Sequence, residues 1–193
     1  MSTREYIIDK AFELFLQHNY ESVSISQIIE SIGMTKGAIY HHFSSKEDLF
    51  KAVIDKYLIF PDFTKENINS LSELNEIIVE RVHEMLVRLL PNDSEFVTFN
   101  YLTLIADALR HYPGYEVENQ NYIRRQINNT KIILGNAIQK GEIRSDIDID
   151  VIANLYFSAT IGLAGNLLQR YTVKESIRFL KSQINQLYSL LKK

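Results

Sequence analysis

The chain has 193 residues, 46% of them hydrophobic, a formal net charge of −3 and no cysteine. That length allows one large or two small domains, and that apolar content suffices for a buried core. The missing cysteines exclude disulfides and thiolate metal sites and suit a reducing cytoplasm, while the net charge does not advertise nucleic-acid binding.

The first residues, MSTREYIIDK, mix acids and bases in a helical pattern without the apolar run of a signal peptide. A first helix is expected from Arg4 to His18, with Ile8, Ala11, Phe12 and Phe15 on its core side. Ile25, Ile28, Ile29 and Ile32 then recur at i, i+3, i+4 and i+7, one face of a short second helix. Ser24 precedes it with Gln27 three residues on, a capping-box arrangement, and Gly33 follows where a helix end needs φ > 0. Thr35 caps a third helix, Lys36 to His42. Ser45 caps a fourth, running to about Phe60 with Leu49, Val53 and Tyr57 along it, and Pro61 ends it. Two short helices joined by a tight glycine turn are the sequence form of a helix-turn-helix, whose second helix enters a DNA groove. Residues 1–60 hold six Lys/Arg and eight Asp/Glu, so this part is −2, yet no acid lies between Glu30 and Glu47, where Lys36, His41, His42 and Lys46 fall. The local surface is therefore expected to be positive, with modest affinity for non-specific DNA.

The run TKGAIYHHFSSKEDL, Thr35 to Leu49, resembles the recognition-helix signature of the tetracycline-repressor (TetR) family. The resemblance extends back through Ala11, Leu14, Phe15 and Tyr20 and forward to Phe50. Asn19 stands where that family usually has Gly, and Asn tolerates the left-handed conformation such a turn requires. The roles read from the residues fit this resemblance. Lys36, at the start of the reading helix, suits guanine O6/N7; Gly37 permits close backbone approach; Ala38 fits against a thymine methyl. Tyr40 and Lys46 suit phosphate oxygens, as do Ser24 and Thr35 through hydroxyls and helix-end amides. Ile39 and Phe43 are the core candidates of this helix, which leaves Tyr40 facing out. Ser26, Gln27 and His41 are candidate base readers, although the family often has Arg where this chain has Ser26.

Further along, Asp62 to Asn69 is a polar connection. Ser70 with Glu73 opens a helix to Leu90, apolar at Ile77, Ile78, Val82, Met85, Leu86 and Leu89, and Pro91 stops it. Asp93 or Ser94 opens the next, to Tyr112 before Pro113-Gly114. A long helix follows from about Glu116 to Lys140, closed by Gly141. Asp148 or Asp150 caps another to about Arg170, and Thr172 with Glu175 opens the last, to about Leu191. No strand is expected. The chain reads as all-α with nine helices. A helix-turn-helix DNA-binding domain occupies 1–47, with a bridging helix at about 45–60. A ligand-binding and dimerisation domain occupies 62–193.

No charge lies between Asp150 and Arg170, but Asn154, Ser158, Thr160 and Asn166 interrupt that stretch, which reads as a doubly covered helix of a bundle and not as a membrane span. Ile177, Leu180, Ile184, Leu187 and Leu191 are spaced 3-4-3-4, a coiled-coil-like seam, and Gly162 and Gly165 would let backbones approach closely. That pattern fits a subunit interface or an intramolecular core; the resemblance implies dimerisation through the last two helices. Asp146, Asp148 and Asp150 copy the start of a calcium loop, but Val151 and Phe157 stand where it needs Gly and Glu, so capping is the reading adopted. His41 and His42 are adjacent on a helix, expected to point apart and not to chelate. No phosphate loop, nucleophile elbow or cofactor motif is present in the sequence. Met85, Phe96, Phe99, Asn100, Thr103, Tyr122, Gln126, Asn129 and Phe157 combine apolar surface with uncharged polar groups, the makings of a small-molecule pocket. The resemblance implies a small inducer there.

The expectation is a cytoplasmic, homodimeric, ligand-responsive repressor on an inverted-repeat operator, and not an enzyme. The rivals are an activator or partner-dependent regulator of the same fold, and an all-helical enzyme or carrier.

Overall fold

The computed structural model describes residues 2–58, 68–89, 98–167 and 172–193. Their regular structure is helical: α1 (Thr3–Gln17), a 3-10 turn (Tyr20–Ser22), α2 (Ile25–Ile32), α3 (Lys36–His42), α4 (Lys46–Tyr57), α5 (Leu71–Leu89), α6 (Thr98–His111), α7 (Tyr115–Gln139), α8 (Ile149–Leu167) and α9 (Val173–Leu191). An isolated antiparallel bridge joins Ile143 to Lys192. The expected breaks at Pro61 and Pro91, the start at Asp93 or Ser94 and the end at Arg170 lie outside the described residues. None of the helices described is long and apolar enough to cross a membrane.

The chain forms two compact units, Met1–Phe60 with Phe99–Asn119, and Pro61–Thr98 with Gln120–Lys193. In the first unit α1 packs on α2 and α4, and α2 on α3. Its core comprises Ile7, Ile8, Ala11, Phe12 and Phe15 of α1, Ile28 and Ile32 of α2, Ile39, Phe43, and Leu49, Phe50, Val53 and Ile54 of α4. Each of these side chains except Ala11 contributes about 1.5–3 kcal/mol by leaving water. The Phe12 and Tyr57 rings stack 3.7 Å apart, and Phe15 meets Phe50 edge to face at 5.0 Å. Lys56 of α4 bridges Glu5 and Asp9 of α1, and Tyr57 donates its hydroxyl to Asp9 at 2.8 Å.

In the second unit α9 packs on α5 and α8. The apolar seam of α9 belongs to this packing. Leu180, Ile184 and Leu191 are buried within the single chain, with Ile177 and Leu187 half-buried. At Leu180, Ile184 and Leu191 the 3-4-3-4 spacing is thus met by an intramolecular core, one of the two readings that spacing allows, while Ile177 and Leu187 keep part of their surface. The side chains that α8 and α9 leave exposed are others: Val151, Leu155 and Ile161 on α8, Phe179 and Leu190 on α9. Gly162 is also exposed, and a Cβ there would meet nothing within 4 Å, so no close backbone approach among the described residues requires it. Nothing is described at Gly165 beyond its place in α8.

The caps explain where the helices begin. Thr172 and Glu175 make a complete capping box. At α5 the box is shifted: Ser70 accepts the Glu73 N–H at 3.1 Å, while Glu73 takes the Asn69 N–H at 2.8 Å. Glu142, distant in sequence, accepts the Leu71 and Ser72 N–H groups at 3.1 and 3.0 Å and the Tyr188 hydroxyl at 3.0 Å. This long-range cap satisfies the orphan amides that begin α5. Among the three aspartates, Asp148 caps α8 through the Asp150 and Val151 amides, Asp146 pairs with Arg144, and Asp150 pairs with Lys131.

Candidate nucleic-acid interface

The α2–turn–α3 unit is built by local hydrogen bonds. Ser24 Oγ accepts the Gln27 N–H at 3.2 Å, and Gln27 Oε1 accepts the Ser24 N–H at 2.7 Å and its hydroxyl at 2.9 Å. Gly33 ends α2 with φ 69°, and the N–H groups of Gly33 and Met34 both reach the Ile29 carbonyl, at 3.0 and 3.3 Å. A side chain there would be strained by the backbone itself. Thr35 Oγ1 then accepts the Ala38 N–H at 3.2 Å and opens α3.

The faces of α3 separate cleanly. Ile39 and Phe43 are buried, while Lys36, Gly37 and His41 are exposed and Tyr40 is 45% exposed. Lys36 Nζ sits 5.7 Å from the Tyr40 ring centroid, which leans both groups over one patch. A Cβ on Gly37 would meet nothing within 4 Å. The chain has no steric need for glycine there; what the glycine leaves is room on the outer side. Ala38 is half-buried, and Ser24, Ser26, Gln27 and Thr35 are exposed. The Gln27 carbonyl oxygen is occupied by the cap, so base reading by Gln27 falls to its amide N–H groups. His41 and His42 meet edge to face at 5.1 Å instead of pointing apart.

Lys46 and Asn19 differ most from their expected roles. The Lys46 ammonium donates to the Tyr20 carbonyl at 3.0 Å and the Val23 carbonyl at 3.1 Å, and it lies 4.0 Å from the Tyr20 ring centroid. Two of its three hydrogens hold the corner before α2, leaving one for phosphate. Asn19 is not left-handed: at φ −69° and ψ 162° it is extended, and its side chain accepts the Ser22 N–H at 2.8 Å to cap the 3-10 turn. One residue was missed. Arg4 of α1 places its guanidinium 5.0 Å from the Phe43 ring centroid, beside the end of α3. Only the packing of α1 brings it there, and a lone Arg in the first turn gives no local signal. At the start of α4, its own backbone and Ser45 hydrogen-bond the Glu47 carboxyl and hold it below the usual carboxylate range.

The inducer candidates divide between the units. Asn100 and Thr103 are half-buried in the first unit; Met85, Tyr122, Asn129 and Phe157 are half-buried and Gln126 is buried in the second. Phe96 lies outside the described residues, and the Phe99 side chain is likewise not described. The Asn129 Nδ2 is buried with no hydrogen-bond partner among the described residues. The same holds for Ser176 Oγ, a group the sequence did not single out.

Residues 7–53, from α1 through most of α4, match the family described as bacterial regulatory proteins, tetR family. The transcriptional repressor ComR of Escherichia coli K12 is 42% identical over 55 residues, 28% of this chain and 26% of ComR. The regulator UidR of the same organism is 28% identical over 172 residues, 86% of this chain and 81% of UidR. The repressor AcnR of Corynebacterium glutamicum is 24% identical over 155 residues, 78% of this chain and 74% of AcnR. Among solved structures, NalD, the secondary repressor of the MexAB-OprM multidrug efflux pump in Pseudomonas aeruginosa, superposes with a TM-score of 0.67 at 18% identity, covering 99% of this chain and 97% of NalD. The SmeT–triclosan complex gives a TM-score of 0.66 at 17% identity, covering 100% and 93%.

Proposed function

Because the chain belongs to the tetR family of bacterial regulatory proteins, we propose that it is a transcriptional repressor that binds an inverted-repeat operator as a homodimer and leaves it when a small molecule binds. It is a regulator and not an enzyme. The observation that carries the proposal is the outer face of α3. Lys36, Gly37, Tyr40 and His41 are all exposed there, while Ile39 and Phe43 anchor the helix from behind. Lys36 and His41 take base edges together with Ser26, Gln27 and Ala38; Ser24, Thr35, Tyr40 and the remaining Lys46 hydrogen take phosphate oxygens.

A two-fold dimer presents two such heads and reads an inverted repeat. The interface proposed is the exposed apolar face of α8 and α9, carrying Val151, Leu155, Phe179 and Leu190, with Gly162 beside it. For the inducer, Tyr122, Gln126, Asn129, Met85 and Phe157 offer an apolar lining with polar fixers in the second unit. Residues 1–47 serve as the DNA-binding part and 62–193 as the ligand-binding and dimerisation part. The repressor names of AcnR, ComR and NalD support this reading, and the SmeT–triclosan complex supports a small-molecule ligand. Selection of bound DNA from a random pool tests the proposal. The expected product is an inverted repeat with half-site centres about one helical turn apart or a little more. Recovery of unrelated sequences, or of none, overturns it.

A further inference from the structure

The C-terminal end of α6 grips the corner between α1 and α2, all within the first unit. The buried Asp107 carboxylate accepts the Tyr20 backbone N–H at 2.7 Å. One turn on, the His111 ring stacks on the Tyr20 ring, 4.2 Å between centroids and 22° from parallel, with its Nε2 3.4 Å from Glu21 Oε1. Tyr112 donates its hydroxyl to Asp55 of α4 at 2.9 Å, and Lys51 of α4 lies 5.2 Å from the Tyr112 ring centroid. Both backbone polar groups of Tyr20 are thus held by side chains of other helices, the N–H by Asp107 of α6 and the carbonyl by Lys46 of α4.

A buried carboxylate with one amide partner is a costly way to fill space, since an apolar side chain would avoid the desolvation. What the carboxylate adds is direction. It fixes the Tyr20 amide in the corner that leads into α2 at Ile25. We propose that Asp107 is a positioning residue for DNA recognition: it ties that corner to α6, so the reading helices take their orientation from α6 as well as from α4. The turn at Tyr112-Pro113-Gly114 leads directly into α7, whose residues from Gln120 onward belong to the second unit.

This role rests on the repressor reading above, and the experiment separates the two. The full-length protein is titrated with the operator it selects from a random pool, with the same operator respaced by one base pair, and with random DNA. Asp107→Ala is expected to bind the selected operator at least about tenfold more weakly, to lose most of the preference over the respaced site, and to keep its affinity for random DNA, since no phosphate-contacting group is touched. Asp107→Asn retains an acceptor oxygen and is expected to restore most of the preference. A folded Asp107→Ala that keeps the parent's spacing preference overturns the role, and so does an Asn variant as impaired as the Ala variant. Should the Ala variant not fold, His111→Ala removes the ring stack and the Glu21 contact but leaves the Asp107 bond, and is expected to weaken the same preference in smaller measure; an unchanged preference there overturns the role. A parent that selects no DNA overturns the repressor reading and this role with it.

Discussion

Two pairs of helices invite comparison, α2–α3 in the first unit and α8–α9 in the second. Both carry an apolar stripe at helical spacing, and both were expected to meet another molecule. In α2–α3 the stripe of Ile28, Ile32, Ile39 and Phe43 is buried and the opposite face is presented. In α9 the same logic holds within the single chain. Leu180, Ile184 and Leu191 are core, while Phe179 and the 63% exposed Leu190 are what a partner could reach. Periodicity identifies the residues that share a face. It does not say whether the neighbour covering that face belongs to the same chain.

The largest effect expected comes from breaking the buried side of this comparison. Leu180→Glu places a carboxylate where no solvent reaches, and should destabilise the second unit by about 4 kcal/mol or more. Circular dichroism should show an early loss of helix. Leu155→Glu combined with Leu190→Glu acts on the exposed side and should leave the helical content intact while yielding monomers in sedimentation. A well-folded dimer of that double variant would remove this face from the proposed interface.

The head is broken more gently. Lys36→Ala should cost about 1–3 kcal/mol on the selected operator and relax preference at one base pair. Binding to every sequence at the parent's affinity would end the base-reading role. Tyr40→Phe should weaken operator and random DNA by similar, small factors. Lys46→Ala now has two expected consequences. Removing the ammonium leaves the Tyr20 and Val23 carbonyls without it, so urea unfolding should show a loss of about 1–3 kcal/mol. The salt slope of DNA binding should also fall, by about one unit or less, since one hydrogen remains for phosphate. A variant with the parent's stability would mean that the two carbonyls are equally well served by water.

The head was legible because its signals are local. Ser24 with Gln27, Gly33, and Thr35 three residues before Ala38 each specify a hydrogen bond within a few positions, and the helix bounds follow from them. The unread parts depend on long-range packing. The Lys46 ammonium reaches back 26 residues to Tyr20, Asp107 reaches 87, and Glu142 caps α5 from 71 residues away. Asn19 misled for a related reason: the left-handed turn came from the resemblance, whereas its side chain found a nearer partner in Ser22. The resemblance itself rests on residues 35–49 and their neighbours, which lie within the stretch 7–53 that matches the tetR family.

The smallest effect sharpens the comparison at its caps. The two boxes have the same geometry but different third residues, Gln27 at α2 and Glu175 at α9. The Thr172 backbone N–H, then its hydroxyl, hydrogen-bond the Glu175 carboxylate and hold it below the ordinary carboxylate range. A group whose folded pKa lies below its unfolded one stabilises the fold above the unfolded value, and that contribution is lost as pH falls through the folded value. Glu175→Gln should therefore cost a little stability near neutrality, and the gap to the parent should close as the solution is acidified through the carboxylate range. Thermal melts of parent and variant at matched pH values read that gap; a gap that stays constant down to acid would mean the carboxylate charge adds nothing to the cap. The α2 box has no such dependence, because an amide does not titrate. Gln27→Glu would give the head the same pH dependence and would also place an anion beside the phosphates, so it should weaken DNA binding at neutral pH while leaving α2 folded.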